Sequence, residues 1–192
     1  MLTLTTHTTE TLVEKQSKFI AHLMPYALYA EVLTSLKAEH PKARHFVTAF
    51  RYINEFDQVV EGSSDDGEPR GTSGKPTLAV IQGNELINIA VITVRYFGGT
   101  KLGTGGLVRA YSEATNLVVG SAELHMYQKE ERVAIRCSYS NLGKIEYALQ
   151  KNGVGIDEKS FEAAWVLLTL TGTKESLAQL QKEIERLVLD DV

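Results

Sequence analysis

Five glycines fall within nine residues at Gly98, Gly99, Gly103, Gly105 and Gly106, in the stretch GGTKLGTGGLVRAY, with Arg95, Lys101 and Arg109 close by. A glycine-rich turn that opens a helix leaves backbone N–H groups unpaired at the positive end of the helix dipole, where they attract anions. Arginine and lysine beside such a turn add charge-assisted hydrogen bonds to phosphate oxygens. The stretch does not contain GxxxxGK[ST]. Aligned to GxGxxG from Gly103 and Gly105, it has Val108 where the third glycine belongs. Two readings therefore stand side by side. The turn is an anion site, or its glycines only admit the positive φ angles needed where a buried strand turns sharply into a helix.

A second concentration of reactive side chains is SSDDGEPRGTSGKP, Ser63 to Pro76. Asp65, Asp66 and Glu68 offer oxygen ligands, but their spacing does not fit the D-x-[DN]-x-[DN]-G calcium loop, so no metal is expected. A solvated acidic turn is the plainer reading, with a catalytic carboxylate cluster as its alternative. Arg70, Thr72, Ser73 and Lys75 give the same loop donors suited to phosphate. His45 could serve as acid or base near neutral pH. Without a serine or cysteine nucleophile motif, a packed or strand-end histidine is expected there. His7, His22, His40 and His125 lack metal-ligand spacing, and the single cysteine, Cys137, lies in the strand-like RVAIRCSYS as a small buried filler.

Composition narrows the function classes. With 43% hydrophobic and 23% charged residues and a net charge of −4, the chain reads as an ordinary globular protein without a general basic coat. A local cationic face remains open. One cysteine excludes an internal disulfide and suits a reducing compartment. No apolar run approaches the roughly 18 residues that cross a bilayer, and MLTLTTHTTE lacks a signal-peptide layout, so a cytoplasmic protein without a membrane partner is expected. No cofactor is expected.

The elements that must position these residues follow from periodicity. ETLVEKQSKFIAHLMPY suggests an antiparallel hairpin around Glu14 to Lys18. ALYAEVLTSLKAEHP places Leu28, Val32, Leu33 and Leu36 on one helical face and ends at Pro41. RHFVTAFRYI reads as a strand, with NEFDQVVE as its continuation or hairpin partner. PTLAVIQG reads as a short helix from Pro76 to Gly83. LINIAVITVRYF should be a central strand buried on both faces, leading through the glycines into the helix GLVRAYSEATNLVVGSA. A new pattern of strand, helix, strand, strand, helix then begins, with Asn141 as an N-cap, Gly153 beyond that helix, Trp165 in the core and Thr173 or Ser176 opening the last helix. This divides the chain into domains 1–126 and 127–192, the second of ferredoxin-like order.

The two loop segments, in this order and about 15 residues apart, together with HPKARHFVTAF from His40, resemble the signature segments of the YigZ/IMPACT family. The resemblance implies an α+β fold: an N-terminal domain like a ribosomal small-subunit protein and domain IV of elongation factor G, and a ferredoxin-like domain like its domain V. Eukaryotic members act in translational control by competing for an activator of a stress kinase, and no catalytic residues carry over. The expectation is a non-enzymatic RNA- or ribosome-binding protein that regulates translation. Its contacts would come from Arg70, Thr72, Lys75, Arg95, Lys101, Arg109 and the glycine turn. The rivals are an enzyme acting on a small phosphorylated metabolite, with His45 or Asp66 as base, and a protein-binding competitor in stress signalling.

Overall fold

The computed structural model describes residues 1–189. They form two units that divide after Tyr127, one residue beyond the boundary expected from composition.

The first unit runs β1 (Leu2–Thr3), β2 (Thr8–Glu14), β3 (Ser17–Pro25), a 3-10 turn (Tyr26–Leu28), α1 (Tyr29–Glu39), β4 (His45–Ile53), β5 (Val59–Ser64), α2 (Gly74–Gly83), β6 (Ile89–Tyr96), α3 (Gly103–Ser121) and β7 (His125–Met126). Five strands form one antiparallel sheet in the order β2-β3-β6-β4-β5, while β1 pairs with β7. Period-two alternation feeds two cores. Phe19, Ala21, Leu23, Val47, Ala49, Ile89 and Val91 pack with Ile81 of α2 and with Leu107, Tyr111, Ala114 and Val118 of α3. The intervening residues Ile20, Met24, Phe46, Ala90, Ile92 and Val94 pack with Leu36 of α1. Strand β6 contributes to both cores from the middle of the sheet, so it is buried on both faces as its unbroken apolar run requires.

Local chemistry explains the connections. The β2–β3 hairpin turns through Lys15 and Gln16, both at positive φ, the geometry of a two-residue turn that matches strand twist. NEFDQVVE is a hairpin partner, not a continuation: Asn54 accepts hydrogen bonds from the Phe56 and Gln58 amides, and β5 then pairs antiparallel with β4. The α1 face is shorter than expected, because Leu28 lies in the preceding 3-10 turn and is exposed. Helix α2 starts two residues ahead of Pro76, which occupies its first turn, where a missing N–H costs nothing. The β1–β7 pair, two residues on each side, is too short to leave a periodic signal.

The second unit runs β8 (Glu130–Cys137), α4 (Leu142–Lys151), β9 (Gly155–Phe161), β10 (Val166–Thr173) and α5 (Lys174–Ile184), with antiparallel sheet order β8-β10-β9. Val188 bridges to Cys137 on the free edge of β8. The order matches the expected βαββα pattern, and alternate residues of β10 join Ile145, Leu149, Leu177 and Leu180 in the core. Cys137 is fully buried there, and burial pushes its thiol pKa up, which suits an inert filler. The Thr173 hydroxyl caps α5 by accepting from the Ser176 amide at 3.1 Å. Two expectations need correction. Asn141 stands at the N-cap position of α4, but its side chain donates to the Leu187 carbonyl instead of capping. Trp165 is only half-buried, because β10 begins one residue later; its ring lies under the Arg136 guanidinium at 5.6 Å.

Candidate anion-binding cleft

The acidic loop is organised by its own carboxylates. Asp65 Oδ1 accepts from the amides of Ser73 at 3.1 Å and Gly74 at 2.8 Å, and Oδ2 accepts from the amide of Gly71 at 2.7 Å. One carboxylate therefore fills the anion position at the start of α2. Burial alone would raise the Asp65 pKa, but the amides of Gly71, Gly74 and Ser73 outweigh it and hold the carboxyl below its ordinary value. Asp66 ties the loop to β4: its Oδ2 accepts from the Phe46 amide at 2.6 Å, and its carbonyl accepts from His45 Nδ1 at 2.9 Å. The Thr72 hydroxyl, buried, donates to the Pro69 carbonyl at 2.6 Å.

The glycine turn is equally constrained. A Cβ on Gly98 would sit 2.0 Å from the carbonyl carbon of Gln16, so the turn presses directly on the β2–β3 hairpin, and the Gly98 amide donates to the hydroxyl of buried Ser17 at 3.1 Å. Gly99 and Gly103 adopt φ of +88° and +72°. Positive φ thus accounts for two of the five glycines, and close approach to the hairpin for a third, Gly98. The first amides of α3 are left without a side-chain cap.

Between the two loops lies a cleft of about 330 Å³, lined by Glu68, Pro69, Arg95, Phe97, Lys101 and the first turns of α3 at Gly103, Thr104 and Leu107. Two of its lining residues, Glu68 and Arg95, belong to a buried polar trio completed by Tyr111. Arg95 Nη1 donates to Glu68 Oε1 at 2.6 Å, with the two side chains 7% and 4% exposed, and the Tyr111 hydroxyl donates to the same oxygen at 2.8 Å. The guanidinium lies 5.3 Å from the Phe19 ring centroid and 5.8 Å from that of Phe97, and its Nε is buried without a partner. Burial, followed by the Glu68 charge, drives the Tyr111 pKa far above the usual phenol range, so Tyr111 stays a neutral donor.

Of the residues singled out in the sequence, the fold gathers Glu68, Arg95, Lys101 and Gly103 at one cleft. Arg95 is not a surface cation but a buried partner of Glu68. Arg70 and Lys75 are exposed and outside the lining, and Arg109 lines a separate depression with Glu14, Lys15 and Glu113. His45 and Asp66 bind each other and do not line the cleft, which removes them as a base for a ligand held there. Phe97, Thr104 and Tyr111 are the functional candidates that residue type alone missed. Tyr111 was legible as one turn on from Leu107 on the buried face of α3. Among the described residues no three histidine, cysteine or acidic side chains are grouped to hold a metal ion, and no helix is long and apolar enough to cross a membrane.

The model of the Impact N-terminal domain matches residues 15–119, a span that contains the whole cleft. The chain belongs to the IMPACT family. It is 35% identical over 173 residues to the IMPACT family member YigZ of Escherichia coli, covering 88% of this chain and 84% of that protein. It is 36% identical over 156 residues to an IMPACT family member of Haemophilus influenzae, covering 78% and 74%. A solved structure described only as a hypothetical protein overlays all of the chain and 98% of its own, at 32% identity and a TM-score of 0.70. The two-domain translational regulator Yih1 aligns with 60% of the chain at 24% identity and a TM-score of 0.41, an overlay too loose to inform the site.

Proposed function

We propose that the protein binds RNA, free or within the ribosome, and acts in the regulation of translation. The observation that carries this reading is the cleft itself, lined by the exposed Lys101 and by Gly103 and Thr104 at the start of α3, which has no side-chain cap. Amides, a hydroxyl and a lysine are the groups that contact phosphate without reading sequence. A net charge of −4 confines attraction for a polyanion to local features of this kind. Family membership supports the translational role through the control function that the resemblance attaches to eukaryotic members. Glu68, the carboxylate among the described residues of the cleft lining, is held by Arg95 and Tyr111, which suits binding more than acid–base chemistry.

Co-sedimentation with ribosomes across a salt series tests the reading. Phosphate contacts predict affinity falling linearly on a log–log plot, and Lys101→Ala should lower the slope by about 0.7 to 0.9, the loss of one contact. Absence of saturable binding at low salt would overturn it.

A further inference from the structure

The cleft offers cationic contacts for one phosphate of an RNA, not for a run of backbone. Single-strand sites that track a backbone line several nucleotides with cations. Here about 330 Å³ offers Lys101 at the helix end and the Glu68–Arg95 pair on the lining, near the low end of the roughly 300 to 1,000 Å³ of small-molecule pockets. That is room for about one nucleotide. We propose that the cleft holds a single nucleotide by its terminal 5′-phosphate, either the 5′ end of an RNA or a free mononucleotide.

Four observations divide the ligand between the two ends of the space. The amides opening α3, a helix of 19 residues, lack a side-chain cap and adjoin Lys101 and Thr104 on the lining, which suits a phosphomonoester dianion better than a diester with one charge spread along a chain. Arg95, its side chain 7% exposed, lines the cleft, donates to Glu68 through Nη1 and, among the described residues, leaves Nε without a partner. A guanidinium so enclosed with unspent donors favours a neutral ligand acceptor, such as a ribose or base oxygen, beside Glu68. Phe97 is 56% exposed at the same cleft, an aromatic face offered to a nucleobase beside a cation. Glu68, also on the lining, repels a second phosphate and accepts from a ribose hydroxyl or base amino group, so it turns the neutral end of the nucleotide toward itself and the phosphate toward α3.

The inference rests on the RNA reading only for the source of the nucleotide. The test uses the full chain and three probes: a short 3′-labelled single-stranded RNA with a 5′-phosphate, the same RNA with a 5′-hydroxyl, and adenosine 5′-monophosphate. The phosphorylated RNA should bind at least about 10-fold tighter than the hydroxyl form, and the mononucleotide should compete. Lys101→Ala and Phe97→Ala, both at exposed side chains, should each reduce that preference while the circular dichroism spectrum stays unchanged. Equal affinity for the two RNAs overturns the terminal site and leaves RNA binding standing. A phosphate preference that survives both substitutions also overturns it, by placing the site elsewhere. Binding of the mononucleotide with neither RNA supports the site and removes free RNA as the source of its ligand. No binding of any probe overturns the site, while ribosome co-sedimentation decides the RNA reading separately.

Discussion

Removing the Tyr111 hydroxyl should cost much less than removing the Glu68 carboxylate, and the two losses should not add. In Tyr111→Phe the ring keeps its edge contact with Phe19 at 5.1 Å, and only the 2.8 Å donation to Glu68 Oε1 is lost. A hydrogen bond to a charged acceptor is worth about 1.5 to 3 kcal/mol, which sets the expected destabilisation. In Glu68→Ala the Arg95 guanidinium, 7% exposed, loses its counter-ion at 2.6 Å. Breaking a buried pair from one side costs about 3 to 5 kcal/mol, and the orphaned phenol adds about 1 to 3 kcal/mol. That total approaches the whole stability of a typical domain, about 5 to 15 kcal/mol. The double variant removes the orphan together with its acceptor, so it should be no less stable than Glu68→Ala, with a coupling at least as large as the Tyr111→Phe cost of about 1.5 to 3 kcal/mol. Amide hydrogen exchange in β6 and α3 reads the stability of this unit directly. A Glu68→Ala cost below about 1 kcal/mol, or strict additivity, would show the trio to be solvated and refute the argument.

Two further substitutions probe the scaffold. Gly98→Ala should destabilise by about 3 kcal/mol or more, since its Cβ would meet backbone of Gln16 and Ser17 at 2.0 and 2.2 Å, whereas Gly99→Ala, at φ +88° with open space around it, should cost only about 1 to 2 kcal/mol. Thermal unfolding of both variants checks this, and equal losses would mean that close packing is not what Gly98 serves. His22 is buried on β3, where its Nδ1 meets His7 Nε2 at 3.1 Å and Thr9 Oγ1 at 3.0 Å; burial first, then the charges of His7 and His40, lower its pKa from 6.5 to about 4. The folded state then binds fewer protons than the unfolded one, so stability is fully present above about pH 6.5 and falls as the pH drops toward 4. Urea unfolding at a series of pH values should show that slope, and His22→Gln should flatten it; a slope unchanged by the substitution would assign the proton uptake elsewhere.

The fold was legible wherever burial imposes a period. Strand β6, an unbroken apolar run that serves two cores, and the amphipathic run of α3 announce themselves, because burial on two faces or on one stripe fixes where apolar residues must stand. The same rule failed at boundaries set by single hydrogen bonds. Asn141 had the right type for a cap, yet the Leu187 carbonyl, 46 residues away, took its donor. Leu28 had the right hydropathy, but a 3-10 turn rotated it off the helical face.

The site was half legible for a related reason. Residue type located both loops, but type alone cannot say whether a cation meets solvent or a carboxylate. Arg95 shares the face of Val91 on a strand buried on both sides, so the alternation already turns it inward, and a buried arginine needs a counter-ion. Glu68 stands 27 residues earlier and Tyr111 is 43 residues from Glu68, separations at which no local pattern survives. That pairing also explains why the two signature segments occur together. Asp65 and Asp66 brace the acidic loop against α2 and β4, Gly98 seats the glycine turn on the β2–β3 hairpin, and each loop supplies one wall of the cleft. Neither loop alone lines the cleft. Glu68 and Arg95 offset each other's charge beneath the cleft, so the uncompensated charge on its lining is that of the exposed Lys101.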